Sequence, residues 1–205
     1  MYRFKTLTPD RFCPNVVDME PSFAGLFQNI FGTLSAGLSD WGGLHPLVVH
    51  FPIVLFFVAP AFTIAALVRP ASARVLNTCA VSLMLAGVVA IFAATSSGEM
   101  AAEHLTSPPL EVIDTLDAHY RLAEQARLGF CILTGIFLFY VFLYRPFTAR
   151  FGRRGEIAAV SLFLLIYAFQ LLLLFNAAHY GGRLVHKYGL RSSLYASPSP
   201  GMQAH

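Results

Sequence analysis

His45-Pro46-Leu47-Val48-Val49-His50-Phe51-Pro52-Ile53-Val54-Leu55-Phe56-Phe57-Val58-Ala59-Pro60-Ala61-Phe62-Thr63-Ile64-Ala65-Ala66-Leu67-Val68 is the stretch on which the fold turns. From Leu47 to Val68 it contains no Asp, Glu, Lys or Arg. About 20 apolar residues in a helix cross the ~30 Å hydrocarbon layer of a bilayer. The stretch therefore reads as a membrane span, kinked but not broken by Pro52 and Pro60. Three similar runs follow, giving expected spans at about 47–68, 75–97, 118–144 and 157–180. The third apolar run begins only at Leu128. Arg121, Glu124 and Arg127 stand before it at helical spacing and predict an earlier helix start, near Asp117.

Upstream, Phe23, Leu26, Phe27, Ile30, Phe31, Leu34 and Leu38 recur with helical period, opposite Gln28, Asn29, Thr33 and Ser35. That face is too polar to span. It predicts a helix over about 23–38 lying on the membrane surface, with Trp41 anchored among the headgroups. The expected architecture is all-α: an integral membrane four-helix bundle (44–190), preceded by an N-terminal segment (1–43) with this amphipathic helix. A Ser/Pro-rich tail (191–205) follows.

Composition agrees. Charged residues make up 12% of the chain, half of the roughly 25% usual in soluble domains. A net charge of +3 without a basic stripe argues against nucleic-acid binding. No CxxCH attaches a c-type haem, and no CxxC offers zinc or dithiol chemistry. Cys79 and Cys131 lie inside apolar runs and read as small packing residues. The N-terminus lacks the pattern of a signal peptide, so insertion is expected to come from the spans.

Orientation follows from the basic residues. Arg69, Arg74, Arg145, Arg150, Arg153 and Arg154 cluster in the two connections 69–74 and 145–156, against the single acid Glu156. Short basic connections stay in the cytoplasm. Both termini are then outside, periplasmic in a Gram-negative inner membrane.

All the histidines fall on that outer side, His205 in the tail. His45 and His50 open the first span, His104 follows the second, and His119 precedes the third. His179 and His186 close the fourth. Glu99 and Glu103 lie beyond the second span. Ionisable groups near hydrocarbon are costly unless paired or ligated, which makes this cluster the candidate site. Imidazoles from separate helices at one depth suit the axial positions of a b-type haem, with Arg183 near a propionate. With carboxylates they suit a zinc, copper or iron ion. A third use is a proton path or pH-sensitive cap. The candidate ligands are His50, His119 and His179, with His45 next. Glu99 and Glu103 are the candidate metal carboxylates. Singly, His45 also reads as a helix-entry cap, and His104 and His186 as solvated.

His45-Pro46-Leu47-Val48-Val49-His50-Phe51-Pro52, Ser97-Gly98-Glu99-Met100-Ala101-Ala102-Glu103, His119-Tyr120-Arg121-Leu122-Ala123-Glu124 and Ala178-His179-Tyr180-Gly181-Gly182-Arg183-Leu184-Val185 occur in that order. Together they resemble the bacterial membrane family known as domain of unknown function 2231, from about residue 44 to 190. The resemblance implies the four-helix topology. Relatives fused to cytochrome-c-like or Rieske iron–sulfur domains imply a redox setting. The expected function is a redox-associated module that holds a b-type haem or metal ion near the outer face. It would exchange electrons with a periplasmic cytochrome c or iron–sulfur protein. The rivals are a metal-dependent membrane enzyme with Glu103 as base, and a non-catalytic subunit of a larger membrane complex.

Overall fold

The computed structural model describes residues 40–103 and 105–190, together with Gly25, Phe27, Gln28, Phe31, Gly32 and Ser35. Those six are helical, and the Phe27 and Phe31 rings stack 6.0 Å apart. Most of the surface helix expected over 23–38 lies outside the described residues, as do Cys13, His104, His205 and the tail.

A 3-10 turn, Gly42–Leu44, leads into α1 (His45–Val48) and α2 (His50–Val68). A second turn, Pro70–Ser72, leads into α3 (Ala73–Glu103); α4 (Leu110–Phe142) and α5 (Tyr144–His186) follow. Gly42–Val68, Pro70–Glu103, Leu110–Phe142 and Tyr144–His186 are each long and apolar enough to cross a membrane. The first and second spans pack along their length, as do the third and fourth, and α3 against α4 joins the pairs.

Two boundaries differ from expectation. The third helix begins at Leu110, where Pro109 sets the start and Glu111 lies in the first turn, favourable to the helix dipole. The basic stretch 145–156 is helical rather than a loop. It is bent at Gly152, whose φ of 63° and ψ of −171° suit glycine alone.

The core-facing residues carry a 3.5-residue repeat. In α2 they are Pro52, Phe56, Ala59, Thr63 and Ala66; in α3, Ala73, Asn77, Ala80, Met84, Gly87, Ile91 and Ala94. In α5 they are Glu156, Val160, Tyr167, Gln170, Leu174, Ala177 and Leu184. Steps of three and four alternate, the period that keeps helices in contact in a left-handed bundle. Lipid is as apolar as leucine, so association rests on close packing rather than on hydrophobic transfer. Ala73, Ala80, Gly87 and Ala94, seven apart, supply the smooth ridge this needs. A Cβ on Gly87 would lie 2.7 Å from the Phe56 ring.

The waist of the bundle is aromatic. Phe56 and Phe130 stack at 3.8 Å, and Tyr167 meets Phe130 at 5.4 Å. Pro60 has no N–H to donate to the carbonyl four residues back, which is that of Phe56. The Tyr167 hydroxyl donates to that carbonyl instead, at 2.9 Å. A proline four residues from a borrowed hydroxyl therefore leaves α2 continuous.

Candidate functional site: a histidine pair where four helices meet

At the end opposite the basic connections, His45 and His119 face each other with ring centroids 6.3 Å apart and planes at 85°. His45 comes from the first span and His119 from the third. The other two spans hold their rings. His45 Nδ1 lies 3.0 Å from the Ala94 carbonyl oxygen and 3.1 Å from Ser97 Oγ. His119 Nδ1 lies 2.8 Å from the Ala177 carbonyl oxygen. A carbonyl only accepts, so each Nδ1 carries the proton and donates. In a neutral ring the lone pair is then on Nε2. Neither Nε2 has a hydrogen-bond partner among the described residues.

Glycines admit both rings. A Cβ on Gly98 would lie 2.8 Å from His45 Cε1, and one on Gly181 would lie 3.2 Å from His119 Cε1. Further along α3, a Cβ on Gly42 would lie 2.8 Å from the Ala101 backbone nitrogen, so the entry turn lies tight on the second span. Asp40 Oδ1 caps that turn by accepting from the Gly43 N–H at 2.8 Å. Each of the four sequence motifs thus contributes a ring or a surface that holds one: His45, Ser97-Gly98, His119, and Gly181 beside the Ala177 carbonyl.

The other candidates are placed differently. His50 and His179 are exposed, and His179 lies beside the Tyr180 ring at 6.0 Å. Glu99 and Glu103 are exposed at the end of α3, and Arg183 sits over the Tyr180 ring at 5.4 Å. The expected set of His50, His119, His179, Glu99 and Glu103 is not gathered. Among the described residues no three His, Cys, Asp or Glu side chains are placed to hold one metal ion. The reason is helical phase. His45 is seven residues before Pro52, and His119 seven before Ala126; both continue the buried repeat. His50 falls two residues before a core position and His179 two after one, so both turn outward. The signal was present in the spacing, but depth in the membrane favoured His50.

A second polar cluster lies where the sequence predicts a solvated loop. Glu156, assigned to a basic loop, is 4% exposed at the opposite end of the bundle. It accepts from Arg153 Nη1 at 2.8 Å and from the Tyr144 hydroxyl at 3.2 Å. Arg153 in turn donates from Nη2 to the Leu67 carbonyl, one of the orphan carbonyls ending α2. Gln170 forms a third polar contact. Its amide donates to the carbonyls of Gln125 and Ala126 at 3.1 and 3.0 Å, against Gly129, where any Cβ would collide with it.

A family model described as "Predicted membrane protein (DUF2231)" matches residues 42–193, well over half of the chain. No curated protein and no solved structure matches it.

Proposed function

We propose a function for this chain, which belongs to the DUF2231 family of membrane proteins. It is a redox-associated membrane module whose His45 and His119 hold one metal atom, the iron of a b-type haem or a copper ion, near the outer face. The observation that carries the reading is the pair of imidazoles with both Nδ1–H groups tied to carbonyls and both Nε2 uncommitted. That is the arrangement in which ligating histidines are held elsewhere. The ring separation also fits. With metal–nitrogen bonds of about 2.0–2.1 Å, rings whose centroids are 6.3 Å apart are near enough for His45 and His119 to share one metal atom. Bound there, the group would supply one-electron chemistry, and the apolar bundle would tune its potential.

The remaining parts of the reading follow from charge. Six of the 14 Lys and Arg residues lie in the two connections remote from His45 and His119. The positive-inside rule then puts the histidine pair on the periplasmic side of a bacterial inner membrane. A cytochrome c or iron–sulfur protein is the partner for such a centre. α4 starts nine residues before His119 and α5 runs to His186. The joined ends, with Lys187 Nζ 3.8 Å from Glu111 and Thr115 3.4 Å from the Tyr188 hydroxyl, offer it a docking stalk.

The test is an absorption spectrum and metal analysis of detergent-purified protein from cells supplied with haem precursor, iron and copper. A Soret band that shifts on reduction, or stoichiometric copper, is expected, and His45→Ala and His119→Ala each remove it. Neither signal in the wild type would leave an accessory subunit of a larger complex as the better account. Stoichiometric zinc alone would point to the enzyme reading.

A further inference from the structure

A cavity of about 350 Å³ opens on the outside of the bundle between α3 and α4, walled by Phe92, Glu124, Gln125, Arg127, Leu128 and Cys131. Its volume is in the range of small-molecule sites. Arg127 immediately precedes the apolar run Leu128–Tyr144, so the cavity opens to lipid near the hydrocarbon boundary. Ionised side chains at that depth are retained for a use. Arg127 Nη2 donates to Glu124 at 2.8 Å, Nη1 donates to Thr95 Oγ1 at 3.3 Å, and the guanidinium lies 5.1 Å from the Phe92 ring centre. Two of five N–H groups are committed, which leaves donors for a guest.

We propose that this groove binds a lipid-soluble quinone, its ring against Phe92 and a carbonyl oxygen accepting from Arg127. Glu124 already compensates the charge of Arg127, so the site is neutral overall. An anionic phospholipid headgroup would meet the carboxylate as well as the guanidinium. A neutral ring bearing acceptor oxygens meets no repulsion. It also gains stacking on a half-exposed phenylalanine, and its tail stays in the bilayer. The inference does not rest on the metal centre, which uses none of the residues that wall this cavity.

Two of the three cysteines make the test internal. Cys131 lines this groove, whereas Cys79 lines a comparable cavity of about 400 Å³ between α2 and α3, walled by Phe62, Thr78, Ser82 and Leu83 without a charged residue. Purified protein in nanodiscs of neutral phospholipid is treated with N-ethylmaleimide, with and without a fully substituted short-chain ubiquinone analogue. Labelling at each cysteine is read by mass spectrometry. The analogue is expected to slow labelling of Cys131 about tenfold and to leave Cys79 unchanged. Arg127→Ala and the near-isosteric Glu124→Gln are each expected to weaken that protection. Equal protection of both cysteines would show simple partitioning and overturn the proposal. So would protection unchanged in both variants, or the same protection from anionic phospholipid without quinone. Loss of metal in His45→Ala with Cys131 protection intact would separate this site from the metal centre.

Discussion

The two ends of the bundle bury polar groups in opposite ways. At the Glu156 end the charged groups meet one another: carboxylate to guanidinium and phenol, guanidinium to the Leu67 carbonyl near the end of α2. The Tyr140 hydroxyl beside Tyr144 is buried without a partner, but neither charge is left unpaired, and the cluster fastens the fourth span to the first. At the histidine end each ring is held by one nitrogen, and the other nitrogen is spare. Self-satisfied polar groups buried near hydrocarbon are architecture. Groups that are positioned firmly but left half satisfied are a place where something else binds. Between the ends, the Phe56–Phe130–Tyr167 waist separates the two clusters.

Breaking the architectural end should have the largest effect on stability. Glu156→Leu leaves Arg153 beside the end of α2 without its carboxylate. The expected loss is about 3 kcal/mol, at the low side for a buried pair because Arg153 is partly exposed. Unfolding in mixed micelles followed by circular dichroism measures it. The double variant Glu156→Leu with Arg153→Met should recover most of the loss; if it does not, the cluster does more than fasten helices.

Crowding the histidine end from behind comes next. Gly98→Ala places a methyl 2.8 Å from the His45 ring and must displace it. We expect a stability loss of about 1–3 kcal/mol and, if the proposed centre holds a metal, a fall in its affinity of about 10–100-fold with His45 and His119 both still present. Gly181→Ala, at 3.2 Å from His119, should act in the same direction but less. Gly182→Ala meets nothing within 4 Å, and should gain roughly 0.5–1 kcal/mol from helix propensity. Equal effects at Gly98 and Gly182 would mean that ring position does not matter.

Ser97→Ala removes one of two acceptors for His45 Nδ1 and leaves the Ala94 carbonyl. A loss of about 0.5–1.5 kcal/mol is expected, with metal affinity falling less than at Gly98. Smallest of all, His50→Ala and His179→Ala should shift stability by less than about 0.5 kcal/mol and keep the metal of the proposed centre. Loss of metal in either would return an exposed histidine to the site and undo the contrast between the two ends.

Much of this was legible before any coordinates. Long uncharged runs identify membrane helices because length and apolarity are properties of each segment alone. His119 is legible for the same reason, as a polar residue at a span end, and the Ser97-Gly98 motif through the family resemblance. Glu156 was misread because a charged residue beside four arginines has the look of a solvated loop. Only the bend at Gly152 turns it back into the bundle. His50 was preferred over His45 on depth, when angle around the axis decides. In a soluble helix the polar face would have shown that angle. Here lipid-facing Phe51, Val54 and Phe57 are as apolar as buried Phe56 and Ala59, so hydropathy carries almost no phase.

The chain by itself therefore determined that four helices are long and apolar enough to cross a bilayer, with their histidines at one end and the two arginine-rich connections at the other. Backbone polar groups must be satisfied within each span, and the length of the apolar run dictates the crossing. The tertiary structure alone decided that His45 meets His119 while His50 and His179 turn away. That choice depends on how each helix is rotated against its neighbours, which small residues such as Gly98 and Gly181 set by letting the rings in.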